Sequence, residues 1–202
     1  MCDTFDDIYL SLKYSLDLYN VFTPSLDEVK SFIGDGLAKL IERTLNVTNQ
    51  IHLKDEIMNT FLEYYKAHCT DSSLLFPGME NVLVSLYNDN VNMAVVSNKA
   101  EHLVKIIINE LGLSKYFKFV FGGDSFSDKK PNPVALEFIL SSLNINSEKA
   151  LMVGDSDNDV IAGNNAKIKT CFCTYGYSSL FKSVSDYTIN APIELIDIIK
   201  GI

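Results

Sequence analysis

The sequence predicts an α/β protein, a parallel sheet covered by helices on both faces and preceded by a purely helical region. Three observations carry this expectation. Beyond Phe76-Pro77-Gly78, short runs rich in valine and isoleucine alternate with helical segments, the pattern of consecutive βαβ units. The runs Asn92–Val96, Phe119–Phe121 and Ala150–Val153 are largely apolar rather than alternating, as strands buried on both faces are. From Phe5 to about Asp71, by contrast, only helical periodicity is found.

Taken in order, Ile8, Leu12, Ser15-Leu16 and Tyr19 recur at three- and four-residue steps and mark one amphipathic helix, broken at Thr23-Pro24. Ser25-Leu26-Asp27-Glu28 is a capping box that opens a second helix. Phe32-Ile33-Gly34-Asp35-Gly36 interrupts it with a turn. Leu37, Leu40, Ile41 and Leu45 begin a third helix, and Ile57, Phe61, Tyr64 and Tyr65 mark a long fourth. Together they read as a helical bundle. Val82, Leu83 and Leu86 then lie on a helix, followed by the strand Asn92–Val96 and a helix from His102 to Leu111, closed by Gly112. After Phe119–Phe121 come a helix Val134–Leu143, the strand Ala150–Val153 and a helix Asp159–Ala166. Strands Lys169–Thr174 and Tyr187–Ile189 and a closing helix Ile193–Ile199 complete the chain.

Composition narrows the function classes. The 202 residues are 47% hydrophobic and 21% charged, enough to bury a substantial core. A formal net charge of −9 argues against a nucleic-acid partner, whose phosphates require a basic face. No apolar run approaches the ~20 residues of a membrane span, and the acidic start Met1–Asp7 is unlike a signal peptide. The four cysteines lack zinc spacing, so buried free thiols in a reducing cytoplasm are expected, and the localisation read from the sequence is cytoplasmic.

In open parallel sheets ligands bind outside the carboxyl ends of the strands, so those ends are the places to look. One strand delivers Leu151-Met152-Val153-Gly154 into three carboxylates, Asp155, Asp157 and Asp159. Carboxylates this close repel unless a cation compensates, and oxygen-only ligands suit a hard divalent ion, Mg²⁺ above all. The alternative is that Asp157 caps the following helix and the others are solvated. A second strand end delivers Ser97-Asn98-Lys99 just before a helix, either an anion site built on a hydroxyl and free N–H groups or a plain N-cap. The third leads through Gly122-Gly123-Asp124 to Lys129-Lys130-Pro131-Asn132-Pro133. Pro133 suits the first turn of a helix capped by Asn132, which would hold Lys130 as a fixed point charge rather than a solvated one.

Val95-Val96-Ser97-Asn98-Lys99, Lys130-Pro131-Asn132-Pro133 and Val153–Asp159 together resemble motifs two, three and four of the haloacid dehalogenase superfamily. The chain is more narrowly similar to the phosphoglycolate phosphatase branch, through Phe32–Arg43, Glu101–Val104, Gly122–Asp124 and Thr174–Tyr177. The resemblance implies a Rossmann-like core at residues 76–202 with an inserted helical cap at 1–75. It also implies Mg²⁺-dependent hydrolysis of a small phosphorylated metabolite, 2-phosphoglycolate, through an aspartyl-phosphate. In that scheme Ser97 and Asn98 bind the phosphoryl group and Lys130 neutralises it. Asp155 ligates Mg²⁺, Asp159 supports the metal or orients Lys130, and Gly34, Asp35 and Gly36 face substrate from the cap.

The chain departs from that pattern at its start. The superfamily's first motif is an apolar strand ending Asp-x-Asp-Gly-Thr, and no Asp-x-Asp-Gly occurs here. Asp3, Asp6 and Asp7 fall where the first cap helix begins and do not replace the nucleophile and the acid/base aspartate. The resemblance places the first core strand between those ending at Val96 and Val153. Losing about five apolar side chains there would cost on the order of 10 kcal/mol, as much as a whole domain's stability. The expectation is therefore that Met1 is an internal methionine with a further segment upstream, and that the chain as written is inactive. The alternative is a degenerate family member that binds phosphate or a partner without turnover.

Overall fold

Where the periodicity of the sequence changes, the chain changes element. The computed structural model describes residues 1–177 and 182–202. They form two units, Cys2–Leu74 on one hand and Met1 with Leu75–Ile202 on the other.

The first unit contains β1 (Cys2–Asp3), α1 (Phe5–Leu18), α2 (Leu26–Phe32), α3 (Leu37–Val47) and α4 (Lys54–His68), and β2 (Leu74–Leu75) begins at its end. The two-residue strands were not expected, being too short to show any period. The capping box holds at atomic detail: Ser25 accepts from Glu28 N–H while Glu28 Oε2 accepts from Ser25 N–H at 2.9 Å. Leu12, Leu16, Val29, Ile41, Leu45 and Ile57 are completely buried, so the apolar stripes of the four helices face one core. On α1 the buried face also carries Ser11 and Ser15, whose hydroxyls donate to the carbonyls of Asp7 and Ser11 at 2.7 Å each. Tyr19, expected on the buried stripe, is instead the exposed C-cap of α1. The helix ends one residue too early to carry it inward.

The second unit continues with α5 (Met79–Asn88), β3 (Met93–Val96), α6 (Glu101–Glu110), β4 (Phe117–Phe121), α7 (Val134–Leu143), β5 (Leu151–Gly154), α8 (Asp157–Asn165), β6 (Lys169–Cys173), β7 (Tyr187–Ile189) and α9 (Leu195–Lys200). The closing helix starts later than expected because Pro192–Glu194 first makes a single 3₁₀ turn. The strands pair in parallel, as expected, but in two ladders: β3 with β4, and β5 with β6 and β7. Met93 of β3 packs with Leu151 and Val153 of β5 in one apolar cluster, and Val96 packs with Met152 in another. The two ladders therefore share cores, although β3 and β5 are not hydrogen-bonded to each other. Burial registers the difference. β6, paired on both edges, buries four of its five residues, whereas none of the four in β3 and one of the four in β5 is buried. All four cysteines are free thiols, with Cys69, Cys171 and Cys173 buried.

Candidate functional site

At the carboxyl end of the first ladder, Val96 of β3 lies beside Phe121 of β4. Ser97 N–H donates to the Phe121 carbonyl at 3.0 Å, extending the pairing by one residue. The helix that follows starts at Glu101 with Ala100 at its N-cap, so neither Ser97 nor Asn98 caps it. They sit in a loop, where Ser97 Oγ accepts from Lys99 N–H at 3.1 Å. Helix-terminal N–H groups are thus not what this strand end presents. Asn98 reaches the next strand end, its Nδ2 donating to the Lys130 carbonyl at 3.1 Å. Gly123 permits this approach, since a Cβ there would fall 2.6 Å from the Asn98 carbonyl oxygen.

Lys130 joins the end of β3 to the first turn of α8. Its ammonium donates to the Val96 carbonyl at 2.5 Å and to Asp159 Oδ1 at 2.6 Å, and both charged side chains are only 8% exposed. A lysine so buried is not the solvated loop lysine that its sequence context also allowed. Its loop is pinned from behind by Asn165, whose Nδ2 donates to the Pro131 carbonyl at 3.1 Å. Asn132 Oδ1 accepts from Val134 N–H at 3.0 Å, but Pro133, expected in the first helical turn, takes the N-cap position expected for Asn132.

The carboxylates after β5 divide into three roles. Ser156, not Asp157, is the N-cap of α8. Asp159 is the buried member: Oδ2 accepts from Asp155 N–H at 3.1 Å and from Ser156 N–H and Oγ at 3.0 and 2.7 Å, while Oδ1 takes Lys130. Burial alone would raise its pKa, yet the charge of Lys130 and these hydrogen bonds outweigh it and hold the carboxyl below the usual range. Asp157 turns outward, its Oδ1 accepting from Lys182 N–H at 3.1 Å and Ser183 N–H at 2.7 Å. Hydrogen bonding from Ser183 keeps its pKa low despite some desolvation. Asp155 is held by one oxygen, Oδ2, through Tyr177 N–H at 2.7 Å.

Gly34, Asp35 and Gly36 lie in the helical unit. Gly34 and Gly36 adopt positive φ of 122° and 91°, and Asp35 pairs with Arg43, which also donates to the Phe32 carbonyl at 2.9 Å. Asn98, Lys130, Asp159 and Asp155 are linked by hydrogen bonds within the α/β unit, and Ser97 precedes Asn98 on the same loop. Sequence reasoning passed over Asn165, and it quoted Ser156 and the Gly176-Tyr177 step only within motifs, without giving them a role. The last left a trace of its own, as a glycine between two tyrosines after an apolar strand.

Gly176 has a testable role. A Cβ there would fall 2.1 Å from Asp155 Cβ, so the chain can pass behind this carboxylate only as glycine. Gly176→Ala is expected to displace Asp155 and, on the expectation from the sequence that Asp155 holds Mg²⁺, to weaken divalent-cation affinity by about 10-fold or more, the usual effect of disturbing the support of a metal ligand. Titration calorimetry with Mg²⁺ checks this, and an unchanged affinity removes Asp155 from any metal role.

The profile of the haloacid dehalogenase-like hydrolase family matches residues 1–173. A phosphoglycolate phosphatase from Aquifex aeolicus is 33% identical over 100% of this chain and 92% of its own length. One from Vibrio parahaemolyticus is 30% identical over 98% of this chain and 91% of its own. Among solved structures, a predicted phosphoglycolate phosphatase from Haemophilus somnus superposes with a TM-score of 0.92 at 24% identity, covering 98% of this chain and 92% of that one. A predicted phosphatase from Clostridium acetobutylicum does so with a TM-score of 0.84 at 24% identity, covering 100% and 94%. The last two likenesses establish the fold.

Proposed function

The chain belongs to the haloacid dehalogenase-like hydrolase family, and from that premise we propose that it is a Mg²⁺-dependent phosphate-monoester hydrolase of the phosphoglycolate phosphatase type. The observation that carries this reading is the buried Lys130 ammonium, fixed between the Val96 carbonyl and Asp159 beside Ser97. A cation immobilised at a strand end, next to a hydroxyl, recognises a phosphoryl group by charge and direction together.

In this mechanism Ser97 Oγ and the loop around Asn98 receive the phosphoryl oxygens. Lys130 neutralises the charge of the bound group, and Asp159 orients Lys130. Both oxygens of Asp159 are already engaged, which favours that positioning role over metal ligation. Asp155 is the residue that would hold magnesium. Among the described residues no three His, Cys, Asp or Glu side chains cluster as a cation site. A single carboxylate still fits Mg²⁺, which keeps much of its water and takes the remaining ligands from substrate phosphate. When bound, the ion supplies further charge neutralisation at the phosphoryl oxygens.

In this reading Asp3, Asp6 and Asp7 do not replace the attacking aspartate of the family's first motif. Asp3 Oδ1 accepts from Phe5 N–H at 3.1 Å, and Asp7 is buried with its oxygens on Ser72 N–H and Ser73 Oγ at 2.8 and 2.5 Å. The chain of 202 residues is accordingly expected to bind phosphate without releasing it from a monoester.

Two measurements separate these claims. Calorimetry with inorganic phosphate should show binding strengthened by Mg²⁺ and weakened about 10- to 100-fold by Lys130→Met, the worth of a hydrogen bond to a charged group. Assays with 2-phosphoglycolate and p-nitrophenyl phosphate should show no Mg²⁺-dependent release. Turnover by this chain defeats the reading of the missing nucleophile, and failure to bind phosphate defeats the site.

A further inference from the structure

Helix α1 is apolar on the wrong side as well as the right one. Its inner face supplies the core through Leu12 and Leu16, but its outer face carries Leu10, Tyr14 and Leu18, which are 51%, 42% and 56% exposed. Phe22, in the turn just beyond, is 77% exposed. A helix on a solvated surface presents polar residues outward, and single exposed apolar side chains need no explanation. Three on one helix at successive four-residue steps form a ridge, and such ridges interdigitate in the commonest class of helix–helix packing. The ridge is widened and stiffened from α4. The Tyr14 ring stacks on Tyr64 with centroids 4.0 Å apart, and Tyr64 stacks on His68 at 4.2 Å.

We propose that this ridge is a dimer interface, and that its occupant is the same ridge of a second copy of the chain, packed antiparallel about a two-fold axis near Tyr14. The centre of the pattern is self-complementary, while at its ends the exposed Asp6 of one copy falls opposite Phe22 of the other. Reversing the helix about Tyr14 exchanges Leu10 with Leu18, so each leucine of one copy meets a leucine of the other, as an isologous contact requires. The charges on the flank complement each other in the same way. Lys13 and Asp17 are both about half exposed and pair within the helix at 2.7 Å. In the antiparallel arrangement Lys13 of each copy faces the Asp17 end of the other, so the flank attracts rather than repels. The exposed parts of these side chains amount to roughly 500 Å² per copy, or about 1,000 Å² in the pair. That lies at the small end of specific interfaces, where association is reversible and depends on concentration.

Sedimentation equilibrium of the whole chain over the low to high micromolar range tests this. The wild type should shift from monomer to dimer across that range, and the double substitution Leu10→Ser with Leu18→Ser should remain monomeric with unchanged far-UV circular dichroism. A wild type that is monomeric throughout, or a double variant that still dimerises, overturns the proposal. Charge supplies an independent check that requires no loss of apolar surface. Lys13→Asp makes the flank wholly negative and Asp17→Lys makes it wholly positive, so each variant alone should associate several-fold more weakly than wild type. A mixture of the two should recover wild-type association. Equal association by all three samples rules out the antiparallel pairing.

Discussion

Replacing Asp159 by alanine should cost the α/β unit about 3–5 kcal/mol, because it strands a buried lysine charge. Lys130 is 8% exposed at its side chain, and Asp159 supplies its carboxylate partner at 2.6 Å. The same substitution removes the acceptor for Asp155 N–H and for Ser156 N–H and Oγ. Urea unfolding at neutral pH measures the loss. Lys130→Met should also destabilise, yet Lys130→Met combined with Asp159→Leu should be less harmful than the two losses added, since neither charge is then left alone. Simple addition would mean that the pair is not coupled.

The same pair sets a pH dependence whose sign follows from its chemistry. The folded-state pKa of Asp159 lies below its ordinary value. Its contribution is therefore fully present above the unfolded carboxylate pKa of about 3.9 and is lost as pH falls through the lower folded value. Stability against urea should accordingly drop below about pH 4. Asp159→Asn, less stable at neutral pH, should show a shallower fall across that window.

The second large effect concerns β3 and β5, which among the described residues make no ladder with each other. Joining an apolar strand of about five residues ahead of Met1, ending in the Asp-x-Asp-Gly pattern, is expected to add on the order of 10 kcal/mol. That figure is five side chains at about 1.5–3 kcal/mol each with ladder hydrogen bonds at about 1 kcal/mol apiece. The expectation rests on sharing. Met93 of β3 and Leu151 and Val153 of β5 already contribute to one apolar cluster, yet the two strands make no ladder with each other. β6 shows how deeply a strand of this unit is buried once both edges are paired. The extended chain should unfold at much higher urea, lose the partial exposure of β3 in hydrogen exchange, and release phosphate from p-nitrophenyl phosphate in a Mg²⁺-dependent way. An unchanged midpoint would mean that the added strand does not enter between the ladders.

How far this was legible in the sequence depended on the range of the forces involved. Val134–Leu143 and Tyr187–Ile189 take the limits read from the sequence, because local periodicity and flanking turn residues decide them. The capping box at Ser25 and Glu28 is likewise a three-residue affair. Asp157 shows where local reading stops. It has the right type and place for a cap, but Ser156 takes that role and Asp157 instead receives N–H groups from Lys182 and Ser183, more than twenty residues later. Asn165 was missed and Tyr177 was left without a role for the same reason, since an amide side chain and a backbone N–H acquire their roles only through distant partners. Ser97 and Lys130 were legible as chemistry, while the bridge from Lys130 to Asp159 required the fold.

The placement of the thiols gives each unit its own clock. Cys69 is enclosed by the helical unit and Cys171 and Cys173 by the α/β unit, so a disulfide reagent can reach either set only when that unit opens. Following the modification of Cys69 separately from that of the other two by peptide mass mapping would read the opening rates of the two halves in one experiment, without an added label. Equal rates at all three sulfurs would signify a single cooperative opening of the whole chain.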